Sequence, residues 1–114
     1  MKQIIFAGLT LVITATSAWA HSKAEETLPA DAAIVAAVDV IEMRFDDPMR
    51  VTAFTMTGPD GDVEIERETG MDPVTLFRAM PPLDLPDGGY SVEWRGLSAD
   101  GHPMQGSFGF TVAN

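Results

Sequence analysis

Apolar and polar residues alternate along several short segments of this chain. A period of two predicts β-strands, because successive side chains of a strand point to opposite faces of the sheet. Clusters of glycine, proline and aspartate separate these segments and are typical of turns. We therefore predict strands in segments 40–45, 51–57, 63–67, 75–79, 90–94 and 108–112.

Three segments are expected to interrupt or connect these strands. Asp46-Asp47-Pro48 is expected to interrupt the first strand, since proline cannot donate to a central ladder. Gly58-Pro59-Asp60-Gly61 predicts a turn. A loop from Gly96 to Gln105 joins the last two strands, which should pair antiparallel. Many short strands, frequent turns and no helical period predict an all-β fold, an antiparallel Greek-key β-sandwich of immunoglobulin-like type.

The first twenty residues predict a secretory signal peptide. Lys2 supplies the positive start, a mostly apolar run follows, and Ala18-Trp19-Ala20 fits the small-x-small cleavage pattern. The alternative of a membrane anchor is disfavoured because the run is short for spanning a bilayer. We expect residues 1–20 to be removed and residues 21–114 to form one exported domain.

Composition narrows the function classes. Without Lys2 the chain keeps 6 of its 7 basic residues against 17 acidic ones, a side-chain charge of −11. This balance argues against nucleic acid and anionic lipid as partners, because both are polyanions. It favours a cation or a basic protein surface, although acidity also simply keeps an exported protein soluble. The lack of cysteine excludes disulfides, thiolate metal sites and thiol catalysis.

The two histidines form a candidate metal site. Cleavage after Ala20 makes His21 the first residue, so that its α-amino group and imidazole can chelate one ion. His102 follows Asp100 by two residues, and in an extended loop both side chains project to the same side. An amine, two imidazoles and a carboxylate suit Cu(II). A plain turn explains Asp100-Gly101 equally well, so the residues alone leave both interpretations open.

A long ordered motif favours the metal site by resemblance. The chain contains Tyr-x-Val-x-Trp-Arg at 90–95, Ser-x-Asp-x-His-Pro at 98–103 and Gly-Ser-x-x-Phe at 106–110. Supporting matches are His21, the segment 28–31 and Phe-Asp-Asp-Pro at 45–48. From His21 to Val112 the chain resembles copper-resistance protein C, the CopC family.

The resemblance implies a cupredoxin-like β-sandwich that binds Cu(II) in the periplasm. His21, Asp100 and His102 would be the ligands, and Asp47 would lie close to the copper as a weak or axial contact. The protein would buffer or deliver copper in homeostasis and resistance, without being an enzyme. It would act as a monomer, with an inner-membrane transporter of CopD type as a possible partner.

Other interpretations remain open. Most methionines are expected to fill the core or surface, and Met104, two residues after His102, is expected at most to neighbour the ion. An N-terminal histidine plus a second one resembles the histidine brace of lytic polysaccharide monooxygenases, a copper-dependent oxidase. A third possibility is an immunoglobulin-like interaction module without metal. Tyr90 and Trp94 alternate inward, so we assign them to the core.

Overall fold

The computed structural model describes Ala24 and residues 26–114, and every regular element in that part is a β-strand. No helix there is long and apolar enough to cross a bilayer. The predicted all-β architecture is confirmed. The strands are β1 Glu26–Leu28, β2 Ala33–Val35, β3 Ile41–Gly58, β4 Gly61–Val63, β5 Glu66–Arg67, β6 Val74–Met80, β7 Gly88–Ser98 and β8 Pro103–Val112.

Strand β3 organises the sheet because its two halves pair with different partners. Its first half lies between β1 and β6, and its second half pairs with β7 and, through a tight hairpin, with β4. The strand order is β2-β8-β7-β3-β6-β5. Every pairing is antiparallel except that of β2 with β8, which is parallel.

The alternating segments bury the faces that their pattern predicts. Polar partners such as Arg44 and Glu93 are exposed on the opposite faces. Removing these apolar side chains from water is the main favourable term in folding. The buried apolar residues are Val38, Ile41, Met43, Phe45, Met49, Val51, Met56, Phe77, Ala79, Tyr90, Val92, Trp94, Phe108, Phe110 and Val112.

The expected interruption at Asp46-Asp47-Pro48 is wrong, because β3 continues through it. Arg44 pairs with Leu76 of β6 and Met49 with Val74, so four residues of β3 lie opposite Thr75 alone. Pro48 falls in this irregular stretch, where its missing N–H breaks no ladder bond. The continuous strand leads directly to the β7 pairing, which begins at Met49 opposite Ser98.

Two further boundaries differ from the sequence prediction. The segment 63–67 divides into β4 and β5 instead of forming one strand. The loop between β7 and β8 is shorter than predicted, since Leu97 pairs with Pro103 and only residues 99–102 remain outside the strands. Tyr90 is a core residue, as predicted, and its hydroxyl donates to the Pro86 carbonyl at 2.5 Å. Such a bond resembles the tyrosine corner of Greek-key sandwiches.

Candidate functional site

The Asp-x-His segment lies at the tip of a rigid hairpin. Strands β7 and β8 pair continuously from Gly88 opposite Val112 to Leu97 opposite Pro103, which confirms the predicted antiparallel pairing. The short remaining loop presents Asp100 and His102 to solvent, with side chains 69% and 73% exposed. The paired strands thus form the scaffold that positions this loop.

Backbone hydrogen bonds fix the shape of this loop. The Gly101 N–H donates to the Ser98 carbonyl at 2.8 Å, and the Ser98 N–H donates to the His102 carbonyl at 2.9 Å. Gly101 has a φ of +86°, a conformation that residues with a Cβ rarely adopt. A turn followed by a glycine in this region is typical of short hairpin loops. The Asp-Gly dipeptide therefore does form a turn, and that turn also places the two ligand candidates.

The loop brings the two side chains together. Nδ1 of His102 lies 3.0 Å from Oδ2 of Asp100. On the other side, the Ser98 hydroxyl donates to Oδ1 of Asp100 at 2.5 Å. The same hydroxyl oxygen accepts the His102 N–H at 3.1 Å. Oδ2 and Nδ1 therefore face each other at a separation that suits two neighbouring ligands of one ion.

Sequence reasoning missed Ser98, although a signal was present. The hydroxyl stands two residues before an aspartate and four before a histidine in a turn. Serine side chains commonly bond to nearby backbone groups at such spacings. The spacing itself, however, does not show which groups the hydroxyl contacts.

The two side-chain hydrogen bonds lower the pKa of Asp100 from 3.8 to about 2. Donation by Ser98 is the larger cause and the contact with His102 is the second, because both stabilise the carboxylate. Desolvation opposes them and raises the pKa of Asp100. Asp100 is thus an anion throughout the pH range in which a metal ion would be bound.

We predict that this shift is visible as a pH dependence of the free protein. The folded-state pKa is lower than the unfolded one, so the ionised carboxylate adds stability above about pH 4. That contribution is lost as the pH falls through about 2. A carboxyl-detected NMR titration should give Asp100 a midpoint near 2, and Ser98→Ala should raise it. A native midpoint at the ordinary aspartate value would contradict this geometry.

Asp47 is placed at the same end of the molecule as the hairpin loop but not in the pair. It is exposed in the irregular stretch of β3, two residues before Met49, which pairs with Ser98. Among Ala24 and residues 26–114, no three His, Asp or Glu side chains are close enough together to hold a metal ion. The described site is therefore the Asp100–His102 pair.

His21 lies outside the described residues, and only the direction of the chain after it is given, by Ala24 and β1. Ala24 packs partly buried against the core. Glu26, at the start of β1, pairs with Arg44 of β3 in an antiparallel register. Following β1 back towards its first residue therefore means following β3 forward, in the direction of Asp47.

Three of the six described methionines are core residues, in line with the expectation that most of them fill the core or surface. Met43, Met49 and Met56 are buried. Met104 is half-buried, packs against the core and pairs with Gly96. Met71 is exposed and accepts, through its carbonyl, a hydrogen bond from Arg50 at 2.7 Å. Met104, the methionine nearest to His102 in the chain, is thus a core-packing residue, as expected of a filler.

Comparison with known proteins gives one consistent family. A family model described as the CopC domain matches residues 24–113. Copper resistance protein C of Escherichia coli is 34% identical over 122 residues, covering 97% of this chain and 95% of that protein. Copper resistance protein C of Pseudomonas syringae pv. tomato is 33% identical over 112 residues, covering 89% of this chain and 87% of that protein.

Solved structures agree with the sequence relatives. The crystal structure of PcoC, a methionine-rich copper resistance protein from Escherichia coli, matches with a TM-score of 0.67 at 30% identity, covering 82% of this chain and 100% of that one. The crystal structure of CopC from Methylosinus trichosporium OB3b matches with a TM-score of 0.68 at 25% identity, covering 81% of this chain and 93% of that one. These matches confirm the predicted β-sandwich.

Proposed function

We propose a copper function from one premise: this chain belongs to the CopC family, whose domain model matches residues 24–113. The function is to bind Cu(II) in the periplasm and to buffer or deliver it in copper homeostasis and resistance. The proposed ligands are the α-amino group and imidazole of His21, the carboxylate of Asp100 and the imidazole of His102. Copper is cargo in this account, and the protein is not an enzyme.

The observation that supports this proposal most is the prearranged Asp100–His102 pair. Its two side chains lie 3.0 Å apart at the end of a continuous ladder. Both are largely exposed, so an ion reaches them without displacing any core residue. Nitrogen and carboxylate oxygen donors together suit Cu(II) in a tetragonal arrangement.

The direction of β1 supports a contribution from the chain's start. Its register with β3 leads backwards from Glu26 towards the irregular stretch that contains Asp47. That stretch ends at Met49, which pairs with Ser98 beside the loop. His21 is three residues before Ala24 in the chain, a path of at most about 10 Å. We propose that His21 meets the Asp100–His102 pair in this way, with Asp47 as a weak or axial contact.

The chemistry of the amine makes the proposal depend on pH. An α-amino group has an unperturbed pKa of about 8 and must lose its proton to bind a metal. Affinity should therefore fall on acidification. The acidic composition, with a side-chain charge of −11 for residues 21–114, adds an attractive long-range field that salt screens.

Processing and location belong to the same proposal. Residues 1–20 act as a signal peptide, and residues 21–114 form the copper-binding domain. Only cleavage after Ala20 gives His21 a free α-amino group. N-terminal sequencing tests this, and an exported protein whose first residue is not His21 would contradict the proposed site. We further propose a monomer that passes copper to a membrane transporter of CopD type, and absence of copper transfer to such a transporter in vesicles would argue against that step.

A polysaccharide oxidase fits the described surface less well. Such an enzyme needs a flat face on which aromatic side chains meet the polymer. Tyr90 and Trp94 are buried here. Among the described residues, the large apolar side chains that are exposed are all aliphatic: Leu28, Ile34, Met71, Leu83 and Leu97. Ascorbate-driven oxidation of polysaccharide by the copper-loaded protein would revive this alternative.

A Cu(II) titration of protein beginning at His21 tests the proposed function. Trp94 is the only tryptophan of residues 21–114 and lies four residues from Ser98 on β7, so its fluorescence should report the bound ion. We expect quenching that saturates at one equivalent and weakens between about pH 8 and pH 5. Quenching that does not saturate, or that persists unchanged in His102→Ala, would contradict the proposal.

A further inference from the structure

We propose that Ser98 is a positioning residue of the copper site, which holds Asp100 and His102 in the arrangement that receives the ion. This inference rests on the proposed function. It assigns to Ser98 no direct contact with copper: its hydroxyl acts through the two neighbouring residues.

The hydroxyl of Ser98 acts in two directions at once. It donates to Oδ1 of Asp100 at 2.5 Å and accepts the backbone N–H of His102 at 3.1 Å. A hydroxyl has one proton to donate and lone pairs to accept, so both bonds can coexist. One side chain thereby fixes the carboxylate of the first ligand candidate and the backbone of the second.

Ser98 is suited to this role because it belongs to the sheet while its partners do not. It is half-buried as the last residue of β7, opposite the buried Met49 of β3. Asp100 and His102 lie in the exposed loop. A binding group on a loop is held more accurately when a residue of a rigid strand supports it.

Each oxygen of the Asp100 carboxylate contacts a different neighbour. Oδ1 faces Ser98, and Oδ2 faces Nδ1 of His102 at 3.0 Å. When an ion approaches the pair, Oδ2 can turn to it while Oδ1 stays bonded to the hydroxyl. Without the hydroxyl only the contact with His102 orients the carboxylate, so binding must order it further at an entropic cost.

A purely structural role for Ser98 makes a different prediction. The turn is already closed by two backbone bonds, from Gly101 N–H to the Ser98 carbonyl and from Ser98 N–H to the His102 carbonyl. Neither bond uses the side chain, so the loop should keep its shape without the hydroxyl. Loss of the hydroxyl should therefore affect copper binding more than folding.

The test compares Ser98→Val with Ser98→Thr in protein beginning at His21. Valine and threonine have nearly the same shape, and only threonine keeps the hydroxyl. We expect Ser98→Val to weaken Cu(II) binding about tenfold in a competitive titration, the size typical of lost outer-shell partners. It should also shift the g and hyperfine values of the Cu(II) EPR spectrum, whereas Ser98→Thr should restore both.

Ser91→Val is the matched control, since Ser91 is exposed on the same strand. It should leave affinity and spectrum unchanged. Native affinity and a native spectrum in Ser98→Val would overturn the role of Ser98 while leaving the proposed function standing. A native protein that binds no Cu(II) would overturn the proposed function itself.

Discussion

One alanine placed ahead of His21 should weaken Cu(II) binding by about a hundredfold or more. The extension converts the α-amine into an amide, which no longer offers a free lone pair, and moves the amine away from the imidazole. Structural four-ligand zinc sites bind with about 10–16 kcal/mol, roughly 3 kcal/mol for each ligand. A loss of that size corresponds to about a hundredfold in affinity.

The measurement is a competitive titration against a Cu(II) chelator at fixed pH, with native protein alongside. A variant that adds one alanine after Asn114 is the matched control, because it changes length and mass without touching the amine. Thermal unfolding should be the same in all three proteins. Equal affinity of the native and N-terminally extended proteins would remove His21 from the site and leave only the Asp100–His102 pair.

Phe77→Ala should lower the free energy of unfolding by about 3–5 kcal/mol, the range for removing a fully buried phenylalanine. Phe77 is 0% exposed. Its ring centroid lies 5.0 Å from that of Phe54. The Arg67 guanidinium lies over the Phe77 ring, 5.0 Å from the ring centroid. Arg67 in turn donates to the Val51 carbonyl at 2.7 Å and to the Gly70 carbonyl at 2.9 Å.

The ring therefore supports both the core and the arginine that ties the segment after β5 to β3. Domains of this size are stable by about 5–15 kcal/mol, so Phe77→Ala should reduce Tm by roughly 15–30 °C. Chemical denaturation followed by Trp94 fluorescence measures the change. Phe54→Ala is the control, and it should cost less because Phe54 is only half-buried. A loss below that of Phe54→Ala would contradict this account of the core.

The strands were predictable because their alternation is local. Tyr90, Val92 and Trp94 face inward as the period of two requires, whatever the rest of the chain does. The passage of β3 through Pro48 was not predictable. It depends on the partner strand, which places Thr75 alone opposite four residues of β3 and so leaves proline free of the ladder. No window of sequence contains that information.

The same division holds for the candidate site. The spacing of Asp100 and His102 predicted their proximity, because two residues of one short loop necessarily lie close together in space. Their support by Ser98 depends on which way a hydroxyl turns within the loop, which spacing does not fix. The parallel pairing of β2 with β8 joins distant parts of the chain, so alternation within either strand does not indicate it.

Pulsed EPR of the Cu(II)-loaded protein tests the central claim most directly, because it counts the imidazole rings bound to the ion. The account predicts couplings from two rings in protein beginning at His21, and from one ring in His102→Ala. An amine nitrogen should also appear, and the N-terminal alanine extension should abolish it. A spectrum with a single imidazole that His102→Ala leaves unchanged would contradict a copper site shared by the N-terminus and the β7–β8 loop.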